Sequence, residues 1–205
     1  MSQSPSRAGA MALVCVVATA TAAAQKPQAR FGVGVGVTAP TGDYHADQFG
    51  DGFGIGWQGV AVVDYRVSER PMGFRANASY GENNANAKFR TDLTADIGQA
   101  SDAKVKMLGG DVDLTYNFRR ARSGAGGYLL GGIGLYRATL SVIVGNISAD
   151  TTETKFAWNV GGGLNVPVAR ATMFVELRYC SVATAFGISK LAFFPVTAGL
   201  RLGGK

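Results

Sequence analysis

His45 is the only imidazole in the chain, and it stands among Asp43, Asp47 and Asp51. A histidine near carboxylates could hold a metal ion or act as the base of a hydrolase. No second His or Cys in that stretch completes a ligand set, so a solvated loop is the stronger reading. Gly54-Ile55-Gly56-Trp57-Gln58-Gly59 matches G-x-G-x-x-G. A dinucleotide site needs a strand before that run and a helix after it. Here an alternating strand follows instead, and the match carries no cofactor. A third group has more to say: Asp64, Arg75, Asp111, Asp113, Glu176, Arg178 and Arg201 each fall inside a stretch of alternating residues. Three cations and four anions could line a selective pore, or could pair with one another as a plug. An eight-stranded barrel is just wide enough for side chains to fill, which favours the plug. No catalytic residue, metal ligand or cofactor is expected.

The stretches that position these charges share a period of two, the mark of a strand whose side chains point alternately to opposite faces. From 106 to 118, Leu108, Gly110, Val112, Leu114, Tyr116 and Phe118 take one side. Gly109, Asp111, Asp113, Thr115 and Asn117 take the other. Phe31, Val33, Val35 and Val37 alternate with Gly32, Gly34, Gly36 and Thr38 in a first strand. Further strands are expected over 53–65, 73–80, 155–166, 171–180 and 194–202, and another begins near Tyr128. In this last one Tyr128 and Tyr136 are placed outward, as members of two aromatic girdles about 20 Å apart on a tilted strand. A hairpin about Glu69 and Arg70 sets Asp64 opposite Arg75. Gly145-Asn146 offers a hairpin turn if the Tyr128 strand runs on through Val144. Eight strands result. Their connections alternate long and short, with polar loops over roughly 38–51, 82–104 and 181–193 and a long connection before 155. Short turns on the periplasmic side and longer loops outside are the habit of transmembrane barrels.

Composition sets the surroundings. The chain has 205 residues, one domain's worth, with 29 glycines and 17% charged residues. The formal charge of +6 comes without a Lys/Arg-rich run or basic helix, so no nucleic-acid partner is expected. Residues 1–24 read as a cleaved export signal. Arg7 supplies the positive start, 8–24 the small apolar run, and Ala22-Ala23-Ala24 the cleavage site. Residues 25–29 form a short polar lead and 30–205 the barrel. Past the signal only Cys180 remains, so no internal disulfide forms.

Two environments suit eight alternating strands. In water, a lipocalin-like carrier keeps the apolar rows inside and the charges outside. In a bilayer, the rows invert. Three arginines facing acyl chains at midplane depth would cost about 6–12 kcal/mol, which rivals the stability of a domain. The charged face also carries Gly, Asn, Ser and Thr, too small a set for a surface in water. The outward, lipid-facing set is therefore Phe31, Val33, Val35, Val112, Leu114, Tyr116, Trp158, Val160, Leu164, Val175, Leu177, Tyr179, Val196 and Leu200. The expected fold is all-β: an eight-stranded antiparallel up-and-down transmembrane barrel.

The segments Phe31-Gly32-Val33-Gly34-Val35-Gly36-Val37, Pro40-Thr41-Gly42-Asp43, Phe174-Val175-Glu176-Leu177-Arg178-Tyr179 and Phe194-Pro195-Val196-Thr197-Ala198-Gly199-Leu200-Arg201-Leu202 resemble small bacterial outer-membrane barrels of the outer-membrane-protein-A and porin-like superfamily. The resemblance runs over about residues 30–202. It departs at Leu202, followed by Gly203-Gly204-Lys205 where such chains finish on an aromatic residue. It implies an outer-membrane location, contact with outer-membrane lipid, and insertion by the barrel-assembly machinery. A non-enzymatic monomer is expected, with a structural or surface-ligand role carried by its loops. A narrow passive pore, a lipid-modifying enzyme and the soluble carrier are the alternatives.

Overall fold

The computed structural model describes residues 28–45, 52–66, 71–118, 124–145, 147–183 and 191–203. The expected export signal, Asp47, Asp51 and Asn146 lie outside the described residues. Eight strands follow in order: β1 (Gln28–Thr41), β2 (Gly56–Arg66), β3 (Met72–Asn84), β4 (Ser101–Asn117), β5 (Gly126–Val144), β6 (Ile147–Val168), β7 (Ala171–Val182) and β8 (Leu191–Leu202). Each pairs antiparallel with its neighbours, and β8 closes on β1. Asp64 is registered opposite Arg75, as the hairpin spacing requires.

The stagger of the barrel follows from the registers. A row of paired residues leaves β6 at Gly162 and passes Leu177, Val196, Val37, Trp57, Glu82, Lys106 and Thr139. It returns to β6 at Thr152, ten residues from its start. A stagger of this size tilts the strands about 40° from the barrel axis. The start of β1, the end of β8 and the β2–β3, β4–β5 and β6–β7 connections share one end, here the turn end. The other end carries the remaining connections.

At that far end three expectations need correction. The 82–104 loop is largely ordered structure: β3 runs on to Asn84, β4 starts at Ser101, and an α-helix, α1 (Ala87–Ile97), lies between. The Asn86 side chain accepts a hydrogen bond from the Phe89 amide at 2.8 Å, and Gly98 ends the helix at φ 73°. Phe89 and Leu93, four residues apart, turn onto the barrel mouth. Next, the connection before 155 is not a long loop. β5 and β6 continue as a ribbon, pairing down to Val144↔Ile147. The β-branched run from Val142 to Val144 and the threonines of β6 favour strand, and Gly145 turns the chain at φ 56°. Finally, β1 passes through Pro40 to Thr41, because this segment still pairs with β8 as far as Ala192.

Tyr128 and Tyr136 also move. Both point inward, 2% and 6% exposed, while Leu129, Ile133 and Leu135 of β5 face outward. Glycine decides the matter: each ring lies against a glycine on a neighbouring strand, Tyr136 on Gly109 and Tyr128 on Gly163. The girdles exist but are built from other residues. Near the far end, Trp57 stacks on Tyr80, and Trp158, Tyr179 and Phe194 stack in series at 5.2–5.4 Å. Near the turn end stand Phe31, Tyr65, Phe74, Tyr116 and Phe118.

Candidate functional site

The interior is where the charges converge. β2, β3, β4, β7 and β8 each aim alternate residues at the axis, and the glycines between them leave room for long side chains. Arg178 occupies the centre. Its Nε donates to Glu176 at 2.6 Å, its Nη1 to Asp111 at 3.1 Å and Asp113 at 3.0 Å, and its Nη2 to the Asn77 side-chain Oδ1 at 3.1 Å. Asn77 in turn donates to Asp111 and Asp113 at 2.6 and 2.7 Å, and Asn159 donates to Asp113 at 2.9 Å. Arg75 links Asp64, at 2.5 Å, to Glu176. Arg201 stands 3.0 Å from Asp64 through Nε, an ion pair outside hydrogen-bond geometry, and donates to Asn165 and the Tyr128 hydroxyl. Tyr128 passes its own proton donation to Glu176 at 2.6 Å. The Arg201 guanidinium also lies over the Phe174 ring, 4.0 Å from its centroid.

All seven sequence-expected charges meet here in one connected network. The alternating pattern puts Asn77, Asn159 and Asn165 on this inner face without naming them as partners of the charges; it leaves out Arg30 and sets Tyr128 outside. Arg30 faces Asp64 across the β1–β2 pair and is buried. With it the inner wall around the network carries Arg30, Arg75, Arg178 and Arg201 against Asp64, Asp111, Asp113 and Glu176. Among these eight, charges of the two signs balance, which is what removing ions from water demands; Arg66, half-buried beside the same void, adds a cation that donates to Asn117. Gly132 and Gly134 explain why the two aspartates fit. A β-carbon on either would come within 2.2–2.6 Å of Asp113 or Asp111.

Above the network the interior turns apolar. Val105, Met107, Ala138, Val182, Leu191 and Phe193 form a buried cluster, closed by Tyr44 and Phe53 from the first long connection. Tyr44 and Phe53 pack at 5.4 Å, and Phe53 meets Phe89 of α1 at 5.9 Å. Among the described residues the buried Tyr44 hydroxyl has no hydrogen-bond partner, and burial pushes its ionisation well above the ordinary tyrosine value. Cys180 lies in the same cluster, inside the barrel near this end. Among the described residues two small voids lie beside the network: one of about 20 Å³ at Asn77, Asp111 and Arg178, and one of about 10 Å³ at Arg30, Asp64 and Arg201. Each has room for about one water.

The outward set sits on the opposite wall. Phe31, Val33, Val35, Val112, Leu114, Tyr116, Trp158, Val160, Leu164, Val175, Leu177, Val196 and Leu200 are exposed, and Tyr179 is half-covered by its ring neighbours. A wall of this composition, with Val35 72% exposed, is untenable in water. His45 is exposed at the far end, its Nδ1 3.3 Å from the Phe53 carbonyl. Asp43 is also exposed, and no acid is paired with this histidine among the described residues.

Residues 10–189 match the outer membrane protein beta-barrel domain. The chain belongs to that family. No curated protein sequence matches it. Among solved structures, Neisserial surface protein A is similar at 16% identity, over 86% of this chain and 96% of that one, with a TM-score of 0.53. Ail of Yersinia pestis, in complex with the heparin analogue sucrose octasulfate, is similar at 14% identity over 87% and 100%, with a TM-score of 0.51. A major outer membrane protein from Thermus thermophilus gives 10% identity over 86% and 99%, with a TM-score of 0.60. At these identities the likeness concerns the fold. The protein is thus an outer-membrane β-barrel, and its ring of apolar side chains has a solvent to match.

Proposed function

We propose that this protein is a sealed, non-enzymatic scaffold that holds its far end at the cell surface for contact with other molecules. The observation that carries this reading is the filled interior. An ion network occupies the axis, an apolar cluster closes it above, and neither of the two voids among the described residues exceeds a water or so. The material of the far end supports presentation: α1 and a β5–β6 ribbon rise beyond the last β6–β7 pair, Ala157↔Val182. Exposed binding groups on a rigid barrel are the usual division of labour between loop and scaffold. Ail is a barrel solved with a sulfated ligand. In this chain the far end mixes Lys104, Lys106 and Arg137 with Glu82, Asp102 and Asp150, so a polyanion is not favoured over the whole surface.

Planar-bilayer recording of the refolded barrel tests the seal, with no steady conductance expected. Stable open-channel steps would replace this reading with that of a narrow pore. Orientation is tested separately by Thr152→Cys in intact cells, since native Cys180 is buried. A membrane-impermeant maleimide should label the variant and leave the parent chain unlabelled.

A further inference from the structure

Along the described strands, outward-facing cations are confined to one place. Along the described strands, every outward residue between the two girdles is apolar, small or aromatic. Just beyond the far girdle, β4 and β5 turn Lys106, Lys104 and Arg137 to the outside. Arg137 follows Leu135 on the same face, and Lys106 precedes Leu108. Two residues on a strand tilted about 40° rise about 5 Å, so both cations stand at the height where acyl chains give way to headgroups. The registers Lys106↔Thr139 and Leu108↔Arg137 make them diagonal neighbours, about 7–8 Å apart.

The anions nearby are engaged elsewhere. Glu82, opposite Lys106 on β3, accepts from the Tyr80 hydroxyl at 2.6 Å and lies 4.0 Å from Lys104 Nζ. Asp102 bonds the Ala103 amide. Asp150 faces outward farther up the ribbon, opposite Ser141. Among the described residues neither Lys106 nor Arg137 has a side-chain partner.

We infer that Lys106 and Arg137 bind the phosphate of an outer-leaflet lipid headgroup, fixing one anionic lipid against the β4–β5 face. A headgroup phosphate meets both cations while its chains lie along Leu108, Leu135 and Ile133. A free anion gains only the first contact. The inference rests on the outer wall facing lipid with the far end at the surface, and not on what the loops bind.

Fluorescent bisphosphorylated lipid A, titrated into the full barrel refolded in neutral detergent, is the probe. Saturable binding is expected, about tenfold weaker in Lys106→Gln/Arg137→Gln and within about twofold in Lys155→Gln, a cation already paired with Glu153. Lipid A stripped of its phosphates should bind about tenfold more weakly. Millimolar inorganic phosphate should not displace the probe. Unchanged affinity in the double variant, equal binding of the stripped lipid, or displacement by inorganic phosphate would each overturn the inference. If the double variant does not refold, Arg137→Gln alone carries the test, with about a threefold loss expected and no loss fatal. A barrel that inserts and is labelled at the surface but ignores the phosphates would sink this inference alone.

Discussion

Arg178 touches three carboxylates and an amide, and so ties β7 to β3 and β4. Replacing it with Met leaves Glu176, Asp111 and Asp113 without their shared cation. About 3–5 kcal/mol of stability should be lost, read from urea unfolding in vesicles by the fluorescence of Trp57 and Trp158. Asp113→Asn removes one of three acceptors and should cost about 1–3 kcal/mol in the same assay, with insertion intact. Val112→Arg is the contrast. It sits next in sequence but on the other wall, and the arginine would face acyl chains at a cost of about 2–4 kcal/mol near midplane depth. Unboiled gel mobility should show a folded band for Asp113→Asn and a loss of it for Val112→Arg. Equal behaviour would reverse the two walls. Seven of these charges were legible because each sits inside an alternating run. Arg30 was not, since it borders a polar lead with no alternation before it. The inward face of Asn77 and Asn159 was legible from the same alternation, but their partners were not, since these come from strands 34 or more positions away.

Among the elements, β5 was the hardest to read, for a definite reason. Apolar residues occupy both of its faces, and hydrophobicity alone cannot say which is inward. The missing signal lay on its neighbours: a glycine at 109 on β4 and another at 163 on β6, each under a tyrosine ring. That interlock yields a test. A β-carbon at Gly109 would meet the Tyr136 ring at 2.4–2.7 Å, and the ring is held in turn by Phe193 at 6.3 Å. Gly109→Ala should therefore lower stability by about 1–3 kcal/mol. Gly131→Ala, outward with its nearest atom at 3.6 Å, should change it little or raise it slightly. Similar effects at both positions would count against the inward tyrosines. The helix α1 escaped for another reason: it has a weakly apolar stripe, Phe89 and Leu93, on an otherwise polar segment. Asn86 and Gly98, on either side of its eleven residues, were its legible boundaries. Tyr44 belongs to this scale too, as the connection's anchor. Its hydroxyl has no partner among the described residues, so Tyr44→Phe should hold or raise the unfolding midpoint.

For the whole molecule, closure is the main physical fact. Every strand has two neighbours, and the ten-residue stagger lets eight strands surround a core of side chains without an open edge in the barrel. The ribbon is different, because residues 147–156 pair with β5 while the β6–β7 ladder starts at Ala157. It should be separable. Removing residues 141–150 and joining Leu140 to Thr151, which already face each other, by Asn-Gly leaves every barrel pair below them in place. The variant keeps Leu140 against the apolar cluster and loses Val142, together with the four β4–β5 pairs from Lys104↔Ser141 to Ser101↔Val144. Burial of one valine is worth about 1.5–3 kcal/mol at most, and Val142 is only partly buried, so the folded band should survive with a slightly lower melting temperature. The same variant separates two places for the seal. Arg178, its carboxylates and the Tyr44–Phe193 cluster all lie beneath the cut, and bilayers holding the shortened barrel should stay as silent as those holding the parent. Steady conductance in the shortened form alone would mean that the ribbon, and not the filled interior, closes the axis.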